Sequence, residues 1–293
     1  MVALMEERDW KIIDTLYREK SISRTAKALY ISQPALTARI HQIEQDLGCI
    51  LAIRTSKGVK FTPQGELVAQ KARVFLREFD QVREELQALS DGISGTLRIA
   101  ASQFMMKYVL PDLLGKFKEQ YPAVDVTLAS GWSRDIYGIV RCGDAHVGFV
   151  LDTLEWEEER YLLFSDPMCI VSTSEIRMDE LPDMPRIEFR TNPSNKAVLD
   201  RWWQNRFDRP PRIAMVVDIL DTCHEMVRHG LGYALLPKMI VEHDPLLHIE
   251  ELRDQDGQPI LRSGWMVYSN KIRELLVVEH FIDFVKSSEI GER

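Results

Sequence analysis

Apolar positions at helical spacing dominate the first part of the chain. Trp10, Ile13, Leu16 and Tyr17 predict a helix over 6–19. A short second helix is expected after a cap at Ser21 or Ser23, running through Ala26 and Leu29, with Tyr30-Ile31 as a turn. A third begins near Ser32, a good N-cap, with Pro34 in the first turn where a missing amide costs nothing. Leu36, Ile40, Ile43 and Leu47 follow at spacings of four, three and four, one buried stripe, and Gly48 stands where a left-handed C-cap is wanted. Cys49 to Phe61 alternates apolar and basic residues around Ser56-Lys57-Gly58, the pattern of a two-stranded wing with a tight turn. Thr62-Pro63 then reads as N-cap and N1 of a longer helix. On it Val68, Ala72, Phe75, Phe79, Val82, Leu86 and Leu89 are spaced alternately four and three apart. Such a narrow seam on a helix between two domains favours the matching helix of a second copy; packing on its own domain is the alternative. Ser90 to Gly95 ends the helix as a linker.

From Thr96 the texture changes to strands alternating with helices. Strands are expected at Thr96–Ala101, Val124–Ala129, His146–Leu151, Met168–Ser172, Arg186–Phe189, Ile213–Val217, Tyr233–Leu236 and Trp265–Tyr268. Helices are expected at Val109–Gln120, 134–142, Lys196–Phe207, 220–229 and Arg273–Val285. The alternation implies a parallel sheet and an α/β domain, and two such sets imply two lobes with a cleft.

Composition adds limits. The 293 residues, 45% hydrophobic, suffice for two domains. No apolar run is long enough for a membrane span, and the charged N-terminus lacks a signal-peptide core, so a cytoplasmic protein with no membrane partner is expected. Cys49, Cys142, Cys169 and Cys223 form no CxxC pair and read as free thiols. The net charge of −8 argues against nucleic acid until its distribution is considered. Between Lys20 and Lys60 stand Lys20, Arg24, Lys27, Arg39, Arg54, Lys57 and Lys60 against Glu44 and Asp46, a local +5 that leaves −13 for the remainder. A basic segment on an acidic chain is the footprint of a small nucleic-acid module.

The stretch from Ala26 to Ile40 supplies two short helices at a steep angle, the second with its N-terminal turn free. The buried stripe leaves Pro34, Ala38 and His41 on the opposite face, with Gln33, Ala35, Thr37 and Gln42 toward its flanks, small or hydrogen-bonding groups suited to the major groove. This stretch resembles the reader of LysR-type transcriptional regulators. The likeness continues through Ile43-Glu44, Leu47-Gly48, Leu51-Ala52-Ile53-Arg54-Thr55 and Phe61-Thr62-Pro63-Gln64-Gly65-Glu66. It extends to Gly95-Thr96-Leu97-Arg98-Ile99, to Leu110-Pro111 with Phe117 and Tyr121-Pro122, and to Gly230 through Pro237, which are similar to the family's effector domain. The chain departs from the family at Ala52, usually Phe, and at Ala38, often Arg.

The resemblance implies an α/β multidomain protein: a winged helix-turn-helix over 1–62, a long linker and dimerisation helix over 63–91, and a two-lobed, periplasmic-binding-protein-like α/β effector domain over 92–293. Lobe I would hold 92–166 and 261–293, lobe II 167–260. The implied partners are double-stranded DNA, a small-molecule effector with a carboxylate as the suggested class, RNA polymerase, and copies of the chain itself as a homodimer or homotetramer. It puts Gln33, Pro34, Thr37 and Ala38 nearest the bases and Arg54 on phosphate. Ser32, Ala35, Arg39 and His41 complete the expected reading helix, and Thr55, Ser56, Lys57 and Lys60 are further phosphate candidates, which position without specifying. In a two-lobed domain, helix N-termini after strands face the cleft. The expected effector contacts are Ser102 and Gln103, Trp132 and Ser133, Thr191, Asn192 and Ser194, and Thr222, with Phe149 as a wall; simple helix capping is the alternative for each.

Enzyme signals are weak. His224 and His229 lie five apart, off a common helix face, so no metal site is expected. Gly230-Leu231-Gly232 lacks the third glycine of a dinucleotide fingerprint, and no GxSxG or Walker loop exists. No cofactor or enzymatic activity is expected. A solute-binding protein with an unrelated helical head and a two-lobed metabolic enzyme are the rival readings.

Overall fold

The computed structural model describes residues 5–56, 58–91, 93–151, 156–288 and 290; of residues 81, 84, 85 and 87–91 it describes the backbone. The chain divides into two compact units, 1–92 and 93–293.

The N-terminal unit opens with α1 (Glu7–Glu19), α2 (Ile22–Ala28) and α3 (Gln33–Leu47). Each end has a local cause. Asp9 and Glu6 form a reciprocal capping box on α1. Ser21 accepts the Arg24 amide at α2, and Ser32 accepts the Ala35 amide at α3 (3.3 Å). Gly48 ends α3 at φ 66°. Leu36, Ile40 and Ile43 are buried together with Ile12, Ile13, Leu16 and Ala26. The wing pairs β1 (Ala52–Thr55) with β2 (Gly58–Phe61) antiparallel. α4 (Pro63–Asp91) follows, capped by Thr62, whose hydroxyl accepts the Gly65 amide (2.9 Å) and donates to the Ile50 carbonyl (2.6 Å).

The C-terminal unit carries β3 (Gly95–Ala101), α5 (Gln103–Tyr108), α6 (Leu110–Gln120), β4 (Val124–Ser130), α7 (Ser133–Arg141) and β5 (Val147–Leu151). β6 (Glu159–Ser172), β7 (Arg186–Phe189), α8 (Pro193–Arg206), β8 (Ile213–Val217), α9 (Leu220–Arg228), β9 (Ala234–Pro237), β10 (His248–Glu251), β11 (Leu261–Tyr268) and α10 (Leu276–Ser287) follow. The main sheet runs β10-β6-β11-β5-β3-β4, with β9 also on β6. It is mixed, which corrects the expectation of a parallel sheet: β3 pairs β4 and β5 in parallel, whereas β11 runs antiparallel to β5 and β6.

The 14-residue β6 explains the curl. Its first part pairs β11 as far as Pro167, and its second, from Met168, pairs β9 and β10. It thus crosses from one lobe to the other, and the chain returns where Ile260 accepts the Met168 amide at 2.8 Å. Lobe I has one core around Leu97, Ile99, Phe117, Phe149, Phe281 and Ile282, and a second around Ile136, Tyr137, Val140 and Trp156. Lobe II has two, one under Trp202, Trp203 and Tyr233, the other under Cys223 and Val227.

Four elements depart from the sequence expectation. The first half of β6 escapes it, because a bulge opposite Gly264 and Trp265 turns both Leu163 and Phe164 inward and destroys the alternation. β10 is missing from the expected strands, since its polar HIEE sequence carries no apolar period. α5 is a separate short helix ahead of α6, and α10 starts at Leu276 after a 3-10 turn at Asn270–Glu274.

Candidate functional site

Two places in the chain gather chemistry. The first is a groove of about 810 Å³ between the N-terminus of α2, the first turns of α3 and the wing. Gln33, Pro34, Thr37, Ala38 and His41 line one side, Arg54 and Thr55 the other. The Arg54 guanidinium donates to the Thr37 hydroxyl across it (2.8 Å), tying the wing to the exposed face of α3. Ser32, Gln33, Pro34, Ala35 and Ala38 are exposed, so the first turn of α3 is open for contact. Ser56 and Lys60 are exposed on the wing; Lys57 lies outside the described residues.

Arg39 requires a correction. Expected to face DNA, it holds Asp9 through two hydrogen bonds of 2.6 and 2.7 Å, and Asp9 is 1% exposed. That fork clamps α1 to α3, and the hydrogen bond to Asp9 raises the Arg39 pKa further above its ordinary value. Arg24 likewise returns to Glu19 (3.0 Å). The local charge of +5 therefore overstates the positive potential, because α1 supplies two carboxylates from outside that stretch. Lys27 on α2 and Lys60 on the wing remain exposed.

The α4 stripe divides in two. Ala72 is fully buried and Val68 half-buried against α1, so the first heptad packs on its own domain and Ala72 has no surface to offer a partner. Phe75 leans on Trp10, ring centroids 4.9 Å apart, yet stays half exposed. Phe79, Val82 and Leu86 are each more than half exposed. The side chain of Leu89 lies outside the described residues.

The second place is the junction of the lobes. Lys107 and Tyr108 on α5 both donate to Asp221 at the start of α9, joining lobe I to lobe II. Burial raises the Asp221 carboxyl, and the bonds from Lys107 and Tyr108 outweigh it, leaving its pKa below the usual range. Burial and the bond to Asp221 push the Tyr108 hydroxyl up. At the strand crossing Asp166 and Arg262 are both about 95% buried, with Nη2 and Oδ2 3.7 Å apart. The Arg262 guanidinium lies 4.0 Å over the Phe104 ring. Asp166 accepts the Met239 amide (3.0 Å), and burial, opposed by Arg262, raises its pKa to about 6. A cavity of about 310 Å³ opens beside it.

The expected effector contacts behave differently from one another. Ser102 is buried, caps α5 and donates its amide to the Phe149 carbonyl (3.0 Å). Ser133 is buried and ties α7 to β5, donating to the Leu151 carbonyl at 3.2 Å. Asn192 caps α8 (2.7 Å to the Asn195 amide), and Thr191 accepts from the Asn195 side chain (3.0 Å). Gln103, Trp132 and Ser194 are exposed, and Thr222 is half-buried near the start of α9. Phe149 is fully buried in the lobe I core, edge-on to Phe281, so it is no pocket wall. None of these nine residues lines the cavity at the crossing.

Comparison with known proteins resolves what this architecture is. Residues 8–66 match the family described as bacterial regulatory helix-turn-helix protein, lysR family, and residues 90–289 match the LysR substrate binding domain. The chain belongs to the LysR family. It is a DNA-binding transcription regulator with a substrate-binding effector domain. The uncharacterized HTH-type transcriptional regulator YraN of Bacillus subtilis is 34% identical over 286 residues, covering 98% of this chain and 99% of that protein. YkuM of the same organism is 28% identical, covering 96% of this chain and 97% of its own. Among solved structures, a full-length OxyR variant from Pseudomonas aeruginosa superposes with TM-score 0.68 at 19% identity, covering 97% of this chain and 95% of its own. Full-length CbnR in complex with its target DNA gives 0.67 at 19% identity, covering 96% and 99%. At that identity the structures speak for the fold. No helix among the described residues is long and apolar enough to cross a membrane.

In this LysR-family chain two residues that the sequence does not single out position the reader. Glu44 accepts the Leu51 and Ala52 amides (2.8 and 3.3 Å) and meets His41 (3.3 Å), so it hangs the wing on α3. Asp9 anchors Arg39. The first joins α3 to the wing across the turn at Gly48 and the second joins α1 to α3, and the periodicity of a single helix reports neither. Two glycines have a plain cause. A Cβ on Gly65 would lie 1.9 Å from the Leu51 carbonyl oxygen, and one on Gly58, at φ 123°, would lie 2.6 Å from that of Lys20. His224 and His229, weighed as metal ligands, have separate partners: Asp244 at 3.1 Å and the Glu225 carbonyl at 2.8 Å.

Proposed function

We propose that the regulator reads its operator through the first two turns of α3, with Gln33 and Thr37 as the specificity residues and Arg54 on phosphate. The observation that carries this reading is the groove, which gathers the expected base and phosphate contacts on two elements held together by the Arg54–Thr37 bond. Gln33 can bond adenine bidentately, worth about 1–3 kcal/mol of discrimination. Ser32, Pro34, Ala35, Ala38, His41, Thr55, Ser56, Lys57 and Lys60 complete the surface, and Arg39 acts behind it.

Two chains pair through Phe75, Phe79, Val82 and Leu86 of α4, an apolar stripe of which each residue is more than half exposed. Homotetramers and contact with RNA polymerase belong to the same reading through the family. The chain is organised as a reader over 1–62, a dimerisation helix over 63–91 and an effector domain over 92–293 whose lobes exchange near 166–167 and 260–261. A small-molecule effector between the lobes, of the carboxylate class, favours one arrangement of the readers. Gln103, Trp132, Ser194 and Thr222 are the expected contacts still offering surface.

Fluorescence anisotropy of the full-length protein on its own upstream DNA tests the core of this reading. Binding should weaken about 10³-fold or more between roughly 50 and 200 mM salt, because phosphate contacts release counterions. Salt-insensitive binding, or none, overturns it.

A further inference from the structure

The cavity at the strand crossing stands apart from every segment expected to hold the effector. At about 310 Å³ it has the size of a small-metabolite site. Both lobes wall it: Asp112 and Lys116 come from α6, Lys238 and Glu242 from beyond β9, and Asp166 from the crossing strand between them. Asp166 is 5% exposed. Its Oδ1 takes the Met239 amide; Oδ2 has the Arg262 guanidinium 3.7 Å away as an ion-pair partner, beyond hydrogen-bond reach, and accepts no hydrogen bond from the described residues. A buried carboxylate oxygen without a donor is costly, and such groups in native structures call for a partner.

The charges around the cavity select the partner. Asp112, Asp166 and Glu242 oppose a simple anion, while Lys116 and Lys238 oppose a simple cation. A molecule with one positive and one negative end meets both sets. We propose that this cavity binds a small zwitterion of the amino-acid type, its ammonium donating to Asp166 and its carboxylate accepting from Lys116 and Lys238. Lys238 already donates to Glu251 (3.0 Å), and an ammonium has two further donors to offer. Val109 and Leu113 give a small side chain an apolar wall. Because the contacts come from both lobes, the ligand biases their arrangement; only this consequence for the operator rests on the regulator reading, and the binding does not.

The test uses the full-length protein and the common L-amino acids, one at a time, in thermal-shift and calorimetric titrations. Each one that binds is then compared with its N-acetyl and amide derivatives, which lack the ammonium and the carboxylate charge. At least one amino acid should bind saturably, and either derivative should bind about tenfold or more weakly. Asp166→Asn should cause a similar loss. Ser165→Trp, placed at an exposed position on the cavity rim, should abolish binding by filling the space while circular dichroism stays unchanged. Binding by no amino acid, equal binding of the N-acetyl derivative, or wild-type affinity in Ser165→Trp overturns the proposal. Operator binding measured on the same preparation without ligand separates the two readings. A chain that binds DNA and no amino acid loses this proposal alone; one that binds an amino acid and no DNA loses the regulator reading alone.

Discussion

The Arg39–Asp9 clamp gives the sharpest test of how the reader is held. Arg39→Met keeps the length of the side chain and removes the fork, leaving a carboxylate that is 1% exposed without its cation. Breaking a buried ion pair costs about 3–5 kcal/mol. Here the Arg39 side chain keeps 37% exposure and Asp9 retains the Glu6 amide, so about 2–3 kcal/mol is the appropriate scale. Urea unfolding followed by far-UV circular dichroism reads this as a lower midpoint for the N-terminal unit with an unchanged slope. A cycle with Asp9→Asn should recover much of the loss in the double variant, since each partner's removal strands the other. DNA binding tells a clamp from a phosphate ligand. An arginine that touches phosphate should, when replaced, lower the salt slope of log affinity by about 1. One that only clamps should leave the slope unchanged at temperatures where the unit is folded. Unaltered stability with a salt slope lowered by about 1 would refute the clamp and return Arg39 to the DNA surface.

Other substitutions probe other parts. Arg54→Ala should weaken operator binding nearly uniformly across sequences and lower the salt slope by about 1, while Gln33→Ala should leave the slope and cost roughly 1–3 kcal/mol of discrimination at one base pair, both read by anisotropy on single-substituted operators. Phe79→Asp puts a charge where Phe79 is 55% exposed in the single chain, so the monomer should fold and dimers should vanish in sedimentation; an unchanged dimer would place the interface elsewhere. His146 is buried in lobe I, accepts the Arg98 amide at Nδ1 (3.3 Å), and has its pKa lowered to about 3 by burial, with the Arg98 charge adding to the effect. The unfolded chain therefore binds the proton first. Its contribution is intact above about pH 6.5 and is lost as pH falls toward 3, by up to ~1.4 kcal/mol per unit. Asp166, raised to about 6, acts in the opposite sense: its contribution is intact below its ordinary value of 3.8 and is lost as pH rises through 6. The difference between wild-type and His146→Val stability profiles isolates the histidine, and parallel profiles would mean that the ring is solvated in the folded state.

How much of this is legible in the sequence follows from what kind of force makes each feature. The reader is readable almost residue by residue, because caps and stripes are local: Ser32, Pro34, Leu36, Ile40 and Gly48 act within one helix, and the structure puts each in the role its spacing suggests. The lobes are legible as alternating strands and helices, yet the sheet's direction is not. Parallel pairing of β3 with β4 and β5 follows from helical crossovers, but the antiparallel β11 returns from the other lobe, and no short segment records where it lands. β6 is half hidden because one bulged residue, Leu163, puts two successive apolar side chains inside and moves the strand out of phase. α4 misleads in the other direction. Its heptads are real, but a repeating stripe does not say where one partner stops and the next begins; Trp10 and α1 take the first turns, and the later ones stay more than half exposed.

Charge is the least legible property, and the cause is specific. A segment count sees sign and position in sequence, while potential at a surface depends on which cations are already answered. Arg39 and Arg24 are answered by Asp9 and Glu19, both on α1 and both outside the basic stretch. The Arg39 fork also ties α3 to α1, and separately Glu44 ties the wing to α3. Among the described residues Arg54 is the arginine of the stretch that rests on a neutral hydroxyl, Thr37 across the groove, rather than on a carboxylate, and it can exchange that partner for a phosphate. A bond to a neutral hydroxyl is cheaper to give up than an ion pair, so on the proposed reading Arg54 is the arginine least committed before DNA arrives.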